Sequence, residues 1–493
     1  MTHPGVSAGP APLRPPWIIT APPVAAADSQ HDRVRPRTNP YQPMFGAPPA
    51  SWPPVRPLPA AEAAASTLQA LKSPRPGGAE HGALAVPNAP GAAPLAPHHR
   101  SVWDLVLVVD ISASMVAWYP TVDAFARKAH ELSLFTDVHT VRLYSQANGG
   151  PDATVDNAAA QRANLHTPDG GGRRKVVFVI TDGVGHAWSY GSLWPRLNAW
   201  GRHHTLAILH VLPHQEWTRT GVSTRRLKLR SPHPGSPNSE MAHRPEEVDA
   251  TEKPAEPDEF TDREVVIPVL EMRKRWLQQW SRLVLSNLWV PHQAITVPAQ
   301  YRSPTHLPHP VESGDDVDAG DRVNSFRGSV SPTAFELATL LAAAPLNRHI
   351  MQLVQAELLP ESGPEELAAL LTSNLLTAVN APSDTDPHDR ITFEFRPQVR
   401  QFLLAAGTSP QTLRVVKTVE RYLSPHNDAV SGISQRIENR IAAESPAITY
   451  DNFPYMQVEY AVLTALSGPH GEAAKGLGAR LEQYLYSNGH SAR

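Results

Sequence analysis

Cysteine is absent from this 493-residue chain. No disulfide, thiolate metal site or cysteine nucleophile is therefore available, which suits a reducing compartment. A large charge imbalance is absent too. The formal net charge is −3, so no bulk attraction draws the chain to nucleic acid or anionic membrane. No apolar run approaches the roughly 20 residues of a membrane span. The N-terminus has no basic-then-apolar signal pattern: Trp17-Ile18-Ile19-Thr20 is too short, and Pro15, Pro16, Pro22 and Pro23 flank it. These absences predict a cytoplasmic protein with no membrane segment.

The complete catalytic motifs are missing as well. There is no Gly-x-x-x-x-Gly-Lys-Ser/Thr phosphate loop and no His-Glu-x-x-His pair. Gly5-Val6-Ser7-Ala8-Gly9 spells Gly-x-Ser-x-Gly, but a nucleophile elbow needs a strand before it and a helix after it, and proline surrounds this one. No enzymatic activity is expected of this polypeptide, and any NTP-driven step would belong to a partner.

Proline, by contrast, is abundant: 51 residues, 22 of them in the first 100. Proline joins neither helix nor sheet ladders, so residues 1–100 read as mostly disordered. The exception is a short helix near 59–72, rich in Ala, Leu, Glu and Lys, expected to lie against the domain that follows. From 101 the composition becomes globular. Strands are predicted over 104–110, 138–144, 176–181 and 206–212, with helices near 120–134 and 191–201. Residues 145–174 are polar and Gly-rich with no helical period. Alternating strand and helix predict an α/β domain with a Rossmann-like, mostly parallel sheet flanked by helices.

Residues 231–262 are charged and poor in large apolar side chains, which predicts a disordered insertion. Residues 265–270 form a further strand, placed at an edge or bulge by Pro268. Trp276, Leu277, Trp280, Leu283 and Val284 share a helix face, and a last strand falls within 288–297. The domain thus spans 101–298. A linker is expected over 299–330, then a mainly α-helical module over 331–493. In that module Ser331-Pro332 is a helix start, helices fall near 332–344, 346–359, 364–379, 397–406 and 410–423 and in the last 40 residues, and 391–395 alternates as a strand.

The chemistry concentrates after the first strand. Leu105-Val106-Leu107-Val108-Val109 runs into Asp110-Ile111-Ser112-Ala113-Ser114-Met115. Ligands of open α/β sheets bind outside the carboxyl ends of the strands, and oxygen donors on such a loop suit a hard cation such as Mg2+. A second buried strand ends in Thr181-Asp182-Gly183. The two loops together resemble the von Willebrand factor A domain. Further stretches are similar to a divergent actinobacterial set of these domains paired with a helical module. They are Thr181-Asp182-Gly183-Val184-Gly185-His186-Ala187-Trp188, Val211-Leu212-Pro213, Trp217-Thr218-Arg219-Thr220-Gly221, and residues 393–404. The resemblance implies a divalent cation, Mg2+ or similar, held by Asp110, Ser112, Ser114 and Asp182, with an open position for an acidic side chain of a partner. It also implies a scaffold or regulatory role in a bacterial signalling or conflict system. The partner would be a protein, a separately encoded NTPase or peptidase effector. The departure is in the middle loop, where the family's threonine has only Thr154 and Thr167 as candidates.

Several other features have two readings. His186, near the second acidic loop, is an exposed histidine that ligates nothing or a ligand, and His203-His204 lies at a predicted helix end. Arg225, Arg226, Lys228 and Arg230 form a solvated strand, one paired with the acidic insertion, or a phosphate site. Trp118 and Trp188 are core or the rim of a partner site. Two other functions remain open. One is a nucleic-acid-binding regulator through a winged-helix-like C-terminal module using Arg396, Arg400, Arg414, Lys417 and Arg421. The other is a metal-dependent hydrolase at Asp110 and Asp182, which lacks an identifiable base.

Overall fold

A computed structural model describes residues 59–72, 103–132, 134–145, 153–167, 174–246, 264–298, 318–378, 392–425, 430–438, 446–449, 452–466 and 468–489. The Pro-rich stretches 1–58 and 73–102, expected to be disordered, lie outside these residues, as do 247–263. The chain divides into two compact units, residues 57–305 and 306–493.

The first unit is an α/β layer structure. Its strands are β1 (Trp103–Asp110), β2 (Phe135–Tyr144), β3 (Thr154–Val155), β4 (Arg174–Thr181), β5 (Thr205–His210), β6 (Arg225–Arg230), β7 (Ala242–Pro245), β8 (Glu264–Glu271) and β9 (Val290–Pro298). Its helices are α1 (Pro59–Thr67), α2 (Tyr119–Glu131), α3 (Asn157–Arg162), α4 (His186–Ser189), α5 (Trp194–His203) and α6 (Lys274–Leu285). The nine strands form one mixed sheet in the order β3-β2-β1-β4-β5-β8-β9-β6-β7. The centre, β2 to β8, is parallel; β3 at one side and β9, β6 and β7 at the other pair antiparallel.

β1 is apolar throughout because both its faces are covered, as parallel strands require. Val106 and Val108 face a layer containing Trp188, Leu197 and Trp200 of α4 and α5. On the opposite face the Phe178 ring meets Phe125 of α2 edge-on at 6.3 Å and Trp280 of α6 at 4.9 Å. Burying a side chain of this size contributes about 1.5–3 kcal/mol. The predicted helix near 59–72 is present as α1 with a 3-10 turn, Leu68–Lys72. It packs on α2 and α6 through buried Ala61, Ala64, Ala65, Leu68 and Leu71. Trp103 Nε1 donates to Leu71 O at 3.2 Å and ties it to the start of β1.

Three expectations for this unit are corrected. Residues 145–174 are not without structure: Asp156 caps α3 through Ala159 N–H, and β3 pairs with β2. The expected insertion 231–262 is ordered through Glu246, because β7 pairs with β6 and Asn238 is buried. β8 is not an edge strand despite Pro268. Its pairing to β5 begins only at Val269, so the residue lacking an N–H sits where β5 and β8 are still splayed. Asn238 fills that gap: its Nδ2 donates to Leu206 O and Val266 O, both at 2.8 Å, and its Oδ1 accepts from Leu206 N at 2.7 Å. A side-chain amide thus replaces the missing rungs.

The second unit is mostly helical: α7 (Ala319–Ser329), α8 (Pro332–Leu341), β10 (Leu346–Asn347), α9 (Arg348–Leu358), α10 (Pro364–Leu371), β11 (Leu376–Ala378), β12 (Thr392–Phe395), α11 (Val399–Ala406), α12 (Ser409–Leu423), α13 (Ile433–Glu438), α14 (Phe453–Leu466) and α15 (Gly471–Gly489). The strands form an antiparallel sheet in the order β10-β12-β11. Ser331 caps α8 as predicted, its hydroxyl accepting from Ala334 N–H with Pro332 at the first helical turn. Two differences follow from tertiary contacts. The expected linker 299–330 contains α7, which buries Val323 and Phe326. The helix expected over 364–379 ends at Leu371, and β11 pairs with β12 instead.

Candidate acidic site at the carboxyl edge of the sheet

The parallel strands deliver polar residues to one edge. β1 ends in Asp110, the residue after β2 is Ser145, and β4 ends in Thr181 followed by Asp182. Past Asp110 the chain stays in register for one more bond, Ile111 N to Leu143 O at 2.7 Å. It then turns at Ser112, whose backbone (φ −68°, ψ 158°) caps a 3-10 turn, Ala113–Trp118.

The four predicted ligands come together here, all buried. The Ser112 and Ser114 hydroxyls lie 3.1 Å apart. Asp110 is enclosed. Its Oδ1 accepts from Ser145 Oγ at 2.7 Å and Ser112 N at 3.2 Å, and its Oδ2 from Thr181 Oγ1 at 2.7 Å and Trp188 Nε1 at 2.9 Å. Both oxygens are thus occupied by two donors each. Asp182 is less well served. Its Oδ1 accepts from Val184 N at 3.1 Å, while Oδ2 is buried without a partner. Burial raises the Asp110 carboxyl above its ordinary range, against four hydrogen bonds that pull it down. Asp182 is pushed up to about 7, by burial first and the neighbouring Asp110 second.

Three donors to Asp110, the side chains of Ser145, Thr181 and Trp188, were not foreseen in that role. Ser145 and Thr181 donate to Asp110; Thr154 and Thr167 are exposed and stay outside this buried site. Trp188 is fully buried and belongs to the site's interior, not to a rim, and Trp118 is buried too. His186 is exposed, and its ring meets that of Tyr190 edge-on. The position of Ser145 was the available signal: it follows the apolar end of the strand beside β1.

The stretches after β5 wrap the second acidic loop. Gly183 takes φ +67°, and its carbonyl accepts from Gly221 N at 2.8 Å. A Cβ on Gly221 would lie 2.4 Å from Ser189 N, so only glycine allows this approach. Trp217 Nε1 donates to Leu212 O at 2.9 Å, and its ring stacks on His210. His210 is buried and held neutral, with its protonation pushed down to about 3 by desolvation. Its Nδ1 accepts from Leu212 N, so the proton resides on Nε2. That Nε2 is buried without a partner.

Whether these residues fit a cation follows from the donor set. Among the described residues no group of three or more His, Asp or Glu side chains gathers as a ligand cluster. A cation would depend on Ser112, Ser114 and Asp182 Oδ2, an oxygen set that suits Mg2+. Asp110, with its oxygens already bonded, fits behind that set as an orienting group. Comparison with family models, with curated proteins and with solved structures finds no match. Among the described residues no helix is long and apolar enough to cross a membrane.

Proposed function

We propose that this is a non-enzymatic recruiting or regulatory protein, with a divergent von Willebrand A-like platform carrying a Mg2+-dependent adhesion-type site. One observation carries the reading: a buried carboxylate oxygen, Asp182 Oδ2, makes no hydrogen bond although Asp182 lies beside the Ser114 side chain and a second carboxylate, Asp110, with the Ser112 hydroxyl 3.1 Å from that of Ser114. Unpaired buried charge of this kind costs several kcal/mol, and Mg2+ would offset it while leaving a position for a partner's acidic side chain. Asp110, gripped by Ser145, Thr181 and Trp188, holds the loop that presents Ser112 and Ser114. The partner in this reading is a protein, a separately encoded NTPase or peptidase effector, met in the cytoplasm.

Calorimetric titration of Mg2+ tests it. Wild type should bind and release part of a proton near pH 7, because Asp182 must ionise, while Asp182→Ala and Ser112→Ala should not bind. Absence of binding in wild type, or equal binding by Asp182→Ala, removes the metal reading. Asp110→Ala is the wrong probe: it orphans four donors and costs about 3–5 kcal/mol of stability.

A second reading has its own observation. In the second unit α8, β10, α9, α10, β11 and β12 follow in the order of a winged helix, with the sheet order β10-β12-β11, which supports a nucleic-acid-binding regulator. Its charges do not favour it. The helix in the recognition position, α10, opens with Glu365 and Glu366. Arg400 is half-buried and donates to Ala342 O at 2.7 Å and Ala344 O at 3.0 Å, so its guanidinium closes a helix end.

A further inference from the structure

Helix α1 is held by small contacts. It has nine residues and runs into a five-residue 3-10 turn. A helix below roughly 12–15 residues is marginal in water on its own, so its order comes from docking. The docked stripe is Ala61, Ala64, Ala65, Leu68 and Leu71, at helical spacing, and three of these five side chains offer a single methyl each. The hydroxyls beside them are turned back onto the helix: Ser66 Oγ donates to Glu62 O and Thr67 Oγ1 to Ala64 O. Glu62 pairs with Arg127 of α2 at 2.8 Å, but both side chains are about half exposed, and such pairs are weak.

The layer beneath closes by itself. α2 and α6 pack on the sheet through Phe125 and Trp280, which both meet Phe178 of β4, and α1 lies on those two helices. Its attachment is also loose in sequence. Trp103 Nε1 meets Leu71 O at 3.2 Å although the two residues are 32 apart. The 30 residues between, 73–102, are rich in Pro, Gly and Ala. A chain of that length reaches about 100 Å when extended, far more than this contact needs. Covalent geometry therefore does not hold α1 in place. It is tethered as a ligand is, at roughly millimolar local concentration.

We propose that residues 59–72 are a reversible strap. α1 docks into the groove between α2 and α6 and leaves it while the domain stays folded, so this groove is a helix-binding surface that the chain itself blocks. The occupant is the chain's own α1. The strap does not depend on the Mg2+ reading.

The chain has no cysteine, so two introduced thiols label it cleanly. Ala63→Cys on α1 and Gln278→Cys on α6, both at exposed positions, carry spin labels in the full chain, and double electron–electron resonance reads their separation. Wild type should give a short docked distance and a minor, broad, longer population. Leu68→Glu should move most molecules to the longer population while the near-ultraviolet dichroism of buried Trp188, Trp200 and Trp280 persists. If that variant loses its tryptophan signal, Glu62→Arg supplies the reading from the exposed rim: it should raise the longer population about threefold in a folded domain. Unlabelled peptide 57–73 competes for the groove. At a concentration matching the tether's, it should bring the undocked share to about one half, and the same peptide with Leu68→Glu should leave the distances unchanged. A single docked distance in wild type that is lost only together with the tryptophan signal overturns the proposal. So does a distance distribution that peptide 57–73 leaves unchanged.

Discussion

Asp182 and His210 are both buried at the carboxyl edge of the sheet, and burial moves their proton equilibria in opposite senses. Asp182 goes from an ordinary value of 3.8 to about 7. Between those values the unfolded chain has lost a proton that the folded chain keeps, so stability falls as pH rises through that window. His210 goes from 6.5 to about 3. Between those values the unfolded chain has gained a proton that the folded chain refuses, so stability falls as pH drops. Each shift corresponds to at most ~4–5 kcal/mol across its window. Their windows overlap from about pH 4 to 6.5, where the two slopes oppose each other. Wild type should therefore show a shallow dependence of melting temperature on pH there. Asp182→Asn should expose the histidine slope, with melting temperature rising as pH rises, and His210→Gln should expose the opposite one. Parallel curves for all three proteins would contradict the assignment. At this scale the sequence showed which polar residues gather at the sheet's edge, since Asp110, Ser112, Ser114 and Asp182 are all buried there. It did not show that Trp188 and Ser145 close around Asp110, because those bonds span 78 and 35 residues and depend on strand order.

Elements were legible where local pattern and burial agree. The apolar run of β1, the helix face of α6 and the Ser331-Pro332 start of α8 all follow from periodicity and capping. They failed where a distant segment supplied what a local rule forbids. Pro268 argued for an edge, yet β8 is central because Asn238, thirty residues earlier in a segment that looked too polar to order, bridges the splayed end of β5 and β8. That role predicts a cost. Asn238→Ala leaves Leu206 N–H and two carbonyls, Leu206 O and Val266 O, without their partner. One unsatisfied buried group costs about 1–3 kcal/mol, so urea denaturation should show a loss of roughly 2–4 kcal/mol with an unchanged slope. Asn238→Asp should do no better, since a carboxylate cannot donate to the two carbonyls. A loss below about 0.5 kcal/mol would mean that the strands close the gap themselves.

For the whole molecule, the net charge of −3 hides an uneven distribution. Residues 306–493 contain 14 Lys and Arg against 22 Asp and Glu, although their topology is the one that could suggest nucleic-acid binding. That topology was only partly legible, because β10 and β11 are two and three residues long and exist through pairing with β12. The charges settle which prediction to make from it. Of the five cations considered for phosphate, Arg396 and Arg400 are half-buried, Arg400 against a helix end, and Lys417 is ion-paired with Glu438 at 2.5 Å. Arg414 and Arg421 remain exposed on α12. The non-specific part of DNA affinity scales with the number of phosphates neutralised, and two arginines on a unit of net −8 supply little. The full chain should therefore give no discrete gel shift with duplex DNA even at low salt. A shift that weakens steeply with salt and disappears in Arg414→Gln/Arg421→Gln would overturn this. It would make α12, not the acidic α10, the nucleic-acid contact and so demand a docking mode in which the recognition-position helix faces away from the groove.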